Sequence, residues 1–370
     1  MSKGLVERGH DVIVYTTDAK DLHSRINNDN VEIDGIKVQY LRNISMFTVK
    51  KSRFFITPRI LSRVKEELRT FDVIHLHEYR TFQNMTVAYY ARKYGIPYVL
   101  QAHGSLPKTL GKQKLKWIYD NLYGFRLLQD ASKVIALSKA EAEQYKNMDV
   151  RSENIVIIPN GIDLSEFRNL PHKGFFKRKF GIGHDEKIVL FLGRISRIKG
   201  VDILVRAFAQ LTKKLNNVKL VIAGPDYGQL NEIKTLSNTL NTANNVLITG
   251  PLYGKDKLAA YVDSEVYVLP SRYEIWGMTV LEAYACSKPV ITSNVQGLSS
   301  LVVPGETGLL FETGNAEELA KALLYLLLNP EKKVQMGIRG KKLVSEKYAM
   351  VKVVGALEAT YRQICSEKNR

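Results

Sequence analysis

Cysteine is nearly missing from this chain. Cys286 and Cys365 are the only two, which excludes a disulfide scaffold and a cysteine-built zinc site and makes a reducing, cytoplasmic location the expectation. Long hydrophobic runs are missing as well: the longest strongly apolar stretch, residues 322–328, is far shorter than the ~18 residues that cross a membrane. Residues 1–9 carry Lys3, Glu7 and Arg8 and no apolar core, so they do not read as a secretory leader. No Gly-x-Gly-x-x-Gly follows a strand and no Walker lysine sits in a glycine-rich loop, which argues against nicotinamide and mononucleotide phosphate-loop folds. No Asp-x-Asp occurs, so no compact carboxylate pair is available to carry a divalent metal on a sugar nucleotide. Acid is absent from residues 35–65, where Arg42, Lys50, Lys51, Arg53, Arg59, Arg63 and Lys65 fall.

What is present is the composition of a folded protein of two domains: 370 residues, 45% hydrophobic, 25% charged, with a formal net charge of +17. A second basic stretch sets Lys108, Lys112, Lys114 and Lys116 beside Leu115, Trp117 and Ile118. Such patches suit an anionic partner (phosphorylated substrate, acidic lipid surface or nucleic acid) and equally a solvated basic face. No nucleic-acid motif or aromatic–basic ladder accompanies them, so nucleic acid is not expected as a partner.

Short apolar runs alternate with helix-length segments along the chain. Residues 11–16, 73–77, 98–102 and 133–137 read as buried strands, and residues 31–41, broken by Asp34-Gly35, as an edge hairpin. Pro58 suits the first position of a helix, and Ser138 with Glu141 has the spacing of a capping box. After Pro159-Asn160-Gly161 the alternation restarts, with strands expected at 187–192, 219–223, 246–249, 266–269 and 289–292. Continuous apolar strands between helices predict parallel sheets covered on both faces, hence two doubly wound α/β domains. Ligands of such sheets bind beyond the carboxyl ends of the strands. His103-Gly104, Gly193-Arg194, Gly224-Pro225 and residues 271–274 all fall there, which predicts one cleft between the domains.

Two constellations carry chemistry. In the first, a strand ends at Gly193, Arg194 follows, and Lys199-Gly200 opens a helix. Two fixed cations and a helix amino end suit a diphosphate; the plainer reading is a surface turn with two basic residues. In the second, Glu274 and Glu282 lie eight positions apart across a loop-to-helix junction at Gly277. Backbone amides of Gly277, Met278 and Thr279 are then free for phosphate oxygens, Glu282 for the hydroxyls of a ribose and Glu274 for those of an attached sugar. The plainer reading is one capping and one solvated glutamate. His75 and His77 are read as facing opposite sides of their strand, which keeps them from gripping one metal. His103 is the better ligand-facing histidine, because Gly104 lets backbone approach a ligand.

These elements resemble the retaining glycosyltransferases of family 4. Residues 274–282 look like that family's Glu-x7-Glu element, and Gly193-Arg194 with Lys199-Gly200 like its donor-diphosphate motif. Supporting matches are residues 5–12, 72–75, 103–104, 159–163 and 305–310, so the resemblance spans essentially the whole chain. It implies a GT-B fold: an acceptor-binding Rossmann-like domain over 1–162, a nucleotide-sugar domain over 163–345, and a final helix, 346–370, crossing back to the first domain. It implies catalytic roles for Glu274, Arg194, Lys199 and His103, and donor binding by Gly193, Glu282, Gly277, Met278, Thr279 and Gly224. No cofactor and no metal are implied. The implied partners are a nucleotide-sugar donor and a glycan or lipid-linked acceptor in cell-surface polysaccharide or glycolipid biosynthesis. Separately, the basic stretches over residues 42–65 and 108–116 lead to the expectation that an anionic membrane surface holds the protein peripherally on the inner face. A sugar-nucleotide epimerase of the same fold and a non-catalytic sugar-nucleotide binder are the alternatives. Two departures stand out. Residues 296–300 lack the family's Gly-Gly and Pro-Glu pattern, and residues 2–10 read as the back half of a helix whose preceding strand and glycine turn are not in the sequence. The expectation is that Met1 is internal to a longer natural chain and that these residues alone are unstable or nearly inactive.

Overall fold

The computed structural model describes all residues except 22–23, 53–54, 108–111 and 369–370; Arg53 and Lys108 of the basic stretches lie outside the described residues. The chain forms two compact units, Met1–Pro159 with Met350–Arg370, and Asn160–Ala349.

In the first unit β1 (Ile13–Thr17) runs parallel to β3 (Ile36–Leu41), and β2 (Asn30–Ile33) pairs antiparallel with β3 at the edge. The expected hairpin is there. Asp34 and Gly35 both take positive φ, 52° and 76°, the twist a two-residue hairpin turn needs. A second sheet holds β4 (Ile74–His77), β5 (Tyr98–Gln101), β6 (Lys133–Ala136) and β7 (Ile155–Ile157), all parallel and in that order. Its central strands are apolar because both faces are covered. Leu100, Val134 and Ala136 pack with Val87, Ala91 and Tyr145 on one side, and Val99 and Ile135 pack with Leu5, Val354 and Leu357 on the other. The latter layer joins the helix Ser2–Val6 to the final helix, Met350–Lys368, pinned by Arg8 and His10 on Glu358 at 2.7 and 3.0 Å.

Among the described residues β1 and β4 each pair along one edge, and residues of both line a cavity of about 1130 Å³ together with Leu5, Val64, Leu357 and Tyr361. The second unit's single parallel sheet contains β8 (Lys187–Leu192), β9 (Val218–Ala223), β10 (Val246–Gly250), β11 (Ser264–Leu269), β12 (Val290–Ser293) and β13 (Gly308–Phe311), in the order β10-β9-β8-β11-β12-β13. By order of appearance this is the doubly wound arrangement 3-2-1-4-5-6, with β8 central and the switch point between β8 and β11. In the first unit β3 and β1 match β10 and β9, β4 and β5 match β11 and β12, and the cavity stands where β8 would be.

Several local expectations shift. The helix expected at Pro58 begins at Ile60, with Arg59 as its cap. The opening helix ends at Val6, and Gly9, at φ 86°, redirects the chain toward β1. β7 and β13, of three and four residues, are too short to announce themselves by periodicity.

Candidate active site

The second unit's switch point assembles both constellations read from the sequence. β8 ends at Leu192, the chain turns through Gly193 and Arg194, and Lys199 closes a short 3-10 turn before the helix Val201–Thr212. Gly200 lies at φ 67°, and a Cβ there would overlap the Pro270 carbonyl oxygen. Only glycine lets the β8 loop rest against the exit of β11. Arg272 fastens the two from the other side. Its amide donates to the Ile198 carbonyl at 2.7 Å, Nη1 donates to the Arg197 carbonyl at 2.9 Å, and its fork grips Asp202 with two contacts of 2.7 Å. Burial pushes the Asp202 carboxyl up, but the Arg272 bonds outweigh it and hold it below its ordinary value.

Within this frame the Lys199 ammonium donates to Glu274. The two side chains are 16% and 13% exposed, and Ser271 Oγ adds a 3.3 Å contact to Glu274 Oε2. The cation and the carboxylate, read separately from the sequence, are therefore one ion pair. Arg194 is exposed, its guanidinium 5.3 Å from the centre of the Tyr227 ring. Gly224, expected to touch the donor, has a packing role on view: at φ 150° its missing Cβ leaves room for the Gly193 carbonyl.

Gly277 caps the helix Met278–Ala285, whose first amides, at Met278 and Thr279, have no acceptor within the helix. Glu282 lies inside it, where Oε1 accepts from Lys257 Nζ at 2.8 Å and Oε2 from the Tyr261 hydroxyl at 2.9 Å. Lys257 and Tyr261 share one face of the helix Gly254–Asp263 through their four-residue spacing. Sequence reasoning missed both, and Tyr227 too, because only the tertiary fold brings them to the site. Each oxygen of Glu282 retains acceptor capacity beyond these bonds.

His103 follows β5 in the first unit, at φ 48°, with Gly104 at φ 77°. A non-glycine residue in that region is uncommon and strained unless its surroundings hold it. Here they do. Glu141 accepts from the Gly104 amide at 2.5 Å and the Leu137 amide at 2.7 Å, and the Tyr145 hydroxyl accepts from the Ala102 amide at 2.9 Å. Ser138 does cap its helix, accepting from the Glu141 amide at 3.3 Å, but the Glu141 carboxylate turns to these two amides instead of closing a reciprocal box. Burial of that carboxylate raises its pKa despite the amide bonds.

The expectation for His75 and His77 is corrected. Residues two apart share a face of a strand, and the two rings stack with centroids 4.1 Å apart. His77 Nδ1 lies 2.8 Å from His103 Nε2, and His75 Nδ1 lies 2.6 Å from the Tyr361 hydroxyl. Among the described residues no group of three or more His, Cys, Asp or Glu side chains is placed to hold a metal ion.

Comparison with known proteins agrees with this architecture. The family model described as Glycosyl transferases group 1 matches residues 172–343, and that described as Glycosyltransferase Family 4 matches residues 1–166. An uncharacterised glycosyltransferase of Methanocaldococcus jannaschii is 29% identical over 94% of this chain and 88% of its own length. Sucrose-phosphate synthase of Thermosynechococcus elongatus superposes with a TM-score of 0.81 at 24% identity, over 99% of this chain and 92% of that one. The Anabaena protein HepE, solved with UDP-glucose, superposes at 0.74 and 21% identity over 89% and 87%. The chain belongs to the family 4 glycosyltransferases of group 1, with their GT-B fold, and is a glycosyltransferase.

The histidines give a pH dependence. Burial lowers the pKa of all three, that of His77 to about 4 from 6.5, with His103 and the Met1 amino group repelling its charge. The unfolded chain therefore binds more protons between about 4 and 6.5, so this contribution is full above 6.5 and drains as pH falls. The urea midpoint should drop between about pH 7.5 and pH 5, and drop less in His77→Asn. An equal drop in both proteins would remove His77 from the cause.

Proposed function

We propose that this enzyme is a retaining, metal-independent transferase moving a hexose-like unit from a nucleotide-sugar donor to a glycan or lipid-linked acceptor, in the building of cell-surface polysaccharide or glycolipid. The observation that carries the reading is the Lys199–Glu274 ion pair at the switch point, flanked by Arg194 and by the amino end of the Met278–Ala285 helix. HepE, bound to UDP-glucose, supports a nucleoside diphosphate sugar as donor. Lys199, Arg194 and the amides of Gly277, Met278 and Thr279 then face the diphosphate. Glu282, steadied by Lys257 and Tyr261, takes the ribose hydroxyls. Glu274 takes a sugar hydroxyl while orienting Lys199, and His103 serves the sugar or the acceptor. Bond cleavage builds negative charge on the departing diphosphate, and fixed cations that meet it there lower the barrier without reorganising.

Arg194→Ala and Lys199→Ala should each lower turnover by roughly two to three powers of ten. Lys199→Ala should be the worse, since it also leaves Glu274 without its cation. Release of UDP from UDP-glucose and from other nucleotide sugars, with and without acceptor glycans, measures this; unchanged turnover in both variants would sink the diphosphate assignment. Glu282→Ala should weaken binding of the free nucleoside diphosphate in calorimetry, and an unchanged affinity would take Glu282 off the ribose.

A membrane-facing acceptor site is favoured by a separate observation. The helical stretch from Gln113 through Gln129 leaves Leu115, Trp117, Ile118, Leu122 and Tyr123 exposed, Trp117 by 59% and Leu122 by 65%. Lys112, Lys114 and Arg126 are exposed on the same stretch, while Lys116 turns back to the Pro107 carbonyl at 3.1 Å. An apolar face with flanking cations suits an anionic lipid surface, each cation contributing on the order of 1 kcal/mol. No described helix is long and apolar enough to cross a membrane. The protein should pellet with anionic vesicles at low salt and release at high salt, and Trp117→Ser with Leu122→Ser should abolish pelleting. Equal pelleting with neutral vesicles would leave only a solvated face.

A further inference from the structure

We propose that His77 is the positioning residue for His103: through the contact between His77 Nδ1 and His103 Nε2 it fixes which nitrogen of the His103 ring carries hydrogen, and so which hydrogen-bonding role that ring offers the sugar or the acceptor. The proposal rests on the placement of His103 in the reaction made above.

The two nitrogens are 2.8 Å apart, a hydrogen-bond distance that two ring nitrogens can satisfy only if one donates and the other accepts. A neutral imidazole has one N–H, so settling the state of Nε2 settles Nδ1 as well. With His77 donating, His103 Nδ1 becomes a donor; with His103 donating, its Nδ1 becomes an acceptor. The contact therefore couples the two rings, and the role that His103 Nδ1 offers its ligand follows from the tautomer His77 adopts.

The partner ring is itself held. His77 stacks on His75 at 4.1 Å and lies at 14° to the His103 ring plane, and His75 is bonded to the Tyr361 hydroxyl at 2.6 Å. The row Tyr361, His75, His77, His103 thus runs from the final helix to the carboxyl end of β5. Burial lowers the pKa of all three imidazoles, and repulsion among the rings adds to it at His75 and His77, with the Met1 amino group also repelling charge on His77, so the row is neutral near pH 7. The backbone of His103 is fixed independently, through the bonds of Glu141 and Tyr145 to Gly104 and Ala102. The turn sets where the ring is, and His77 sets how it is oriented and protonated. Orientation of this kind is worth a large rate factor when the ring meets a reacting group.

Two variants separate hydrogen bonding from packing. His77→Phe keeps a stacked ring without a ring nitrogen, whereas His77→Asn keeps a polar nitrogen near the Nδ1 position without the ring. Histidine-selective 15N NMR of the full chain should show His103 as one tautomer in the wild type and in His77→Asn, and as a mixture in His77→Phe. UDP release from UDP-glucose should fall roughly tenfold to a hundredfold in kcat for His77→Phe with KM nearly unchanged, and be largely restored in His77→Asn. A mixed tautomer in the wild type overturns the proposal without any variant, as does an active His77→Phe beside an inactive His77→Asn, which would make the role one of packing. If His103→Ala keeps full turnover, the reading of His103 fails instead, and the NMR signature still tests the pairing.

Discussion

The contact between Lys199 and Glu274 is the constraint around which the second unit's site is arranged. Seventy-five positions separate the two in the chain, and only the adjacency of β8 and β11 brings them together. That adjacency belongs to the reversal of strand order, where loops from neighbouring strands leave the sheet in opposite directions and open a crevice. A mostly buried ion pair there is costly to break from one side, because the remaining charge is left desolvated without its partner. The surrounding features serve the same convergence: glycine at 200 lets backbone meet backbone, and Arg272 ties the exit of β11 to the β8 loop and to Asp202. Lys199 is therefore held with its position and direction set, which is what the leaving-group role proposed for it would use.

The first unit treats His103 in the same way with different chemistry. Its turn is held by acceptors from the next helix, Glu141 and Tyr145, and the following segment by Arg80, whose guanidinium donates to the Leu106 carbonyl at 2.8 Å and grips buried Asp120 at 2.9 Å. Asp120 belongs to the stretch that exposes Trp117 and Leu122 on its other side. One helical segment thus supports the histidine loop from within and presents an apolar surface outward, so the proposed lipid contact and the histidine turn share a scaffold.

The contrast between the two sheets is instructive. The four inner residues of β8 are buried because strands flank it on both sides. β1, with one partner, is half-buried at four positions and exposed at Thr16, and a cavity lies along its other edge. The burial of a parallel strand is a property of its neighbours as much as of its residues.

Much of the fold was legible because it is local. The apolar runs of β8, β9 and β11, the Asp34-Gly35 turn and the Ser138 cap each follow from a few adjacent residues whose backbone preference and burial agree. The candidate residues Arg194, Lys199, Glu274, Glu282 and His103 were legible as types at spacings, since cations, carboxylates and glycines at strand ends have few other reasons to cluster. What the sequence did not disclose is pairing. Nothing local says that Lys199 meets Glu274, that Lys257 and Tyr261 hold Glu282, or that Glu141 leaves its cap to grip the Gly104 amide. His75 and His77 were misassigned although the period of a strand was enough to place them on one face; their partnership with His103 was not available from it. The residues by themselves determined which charges and hydrogen-bonding groups this protein possesses. Strand order and register decided which of them touch, because hydrogen bonds and ion pairs act over a few ångströms, and only the packed chain sets distances that short.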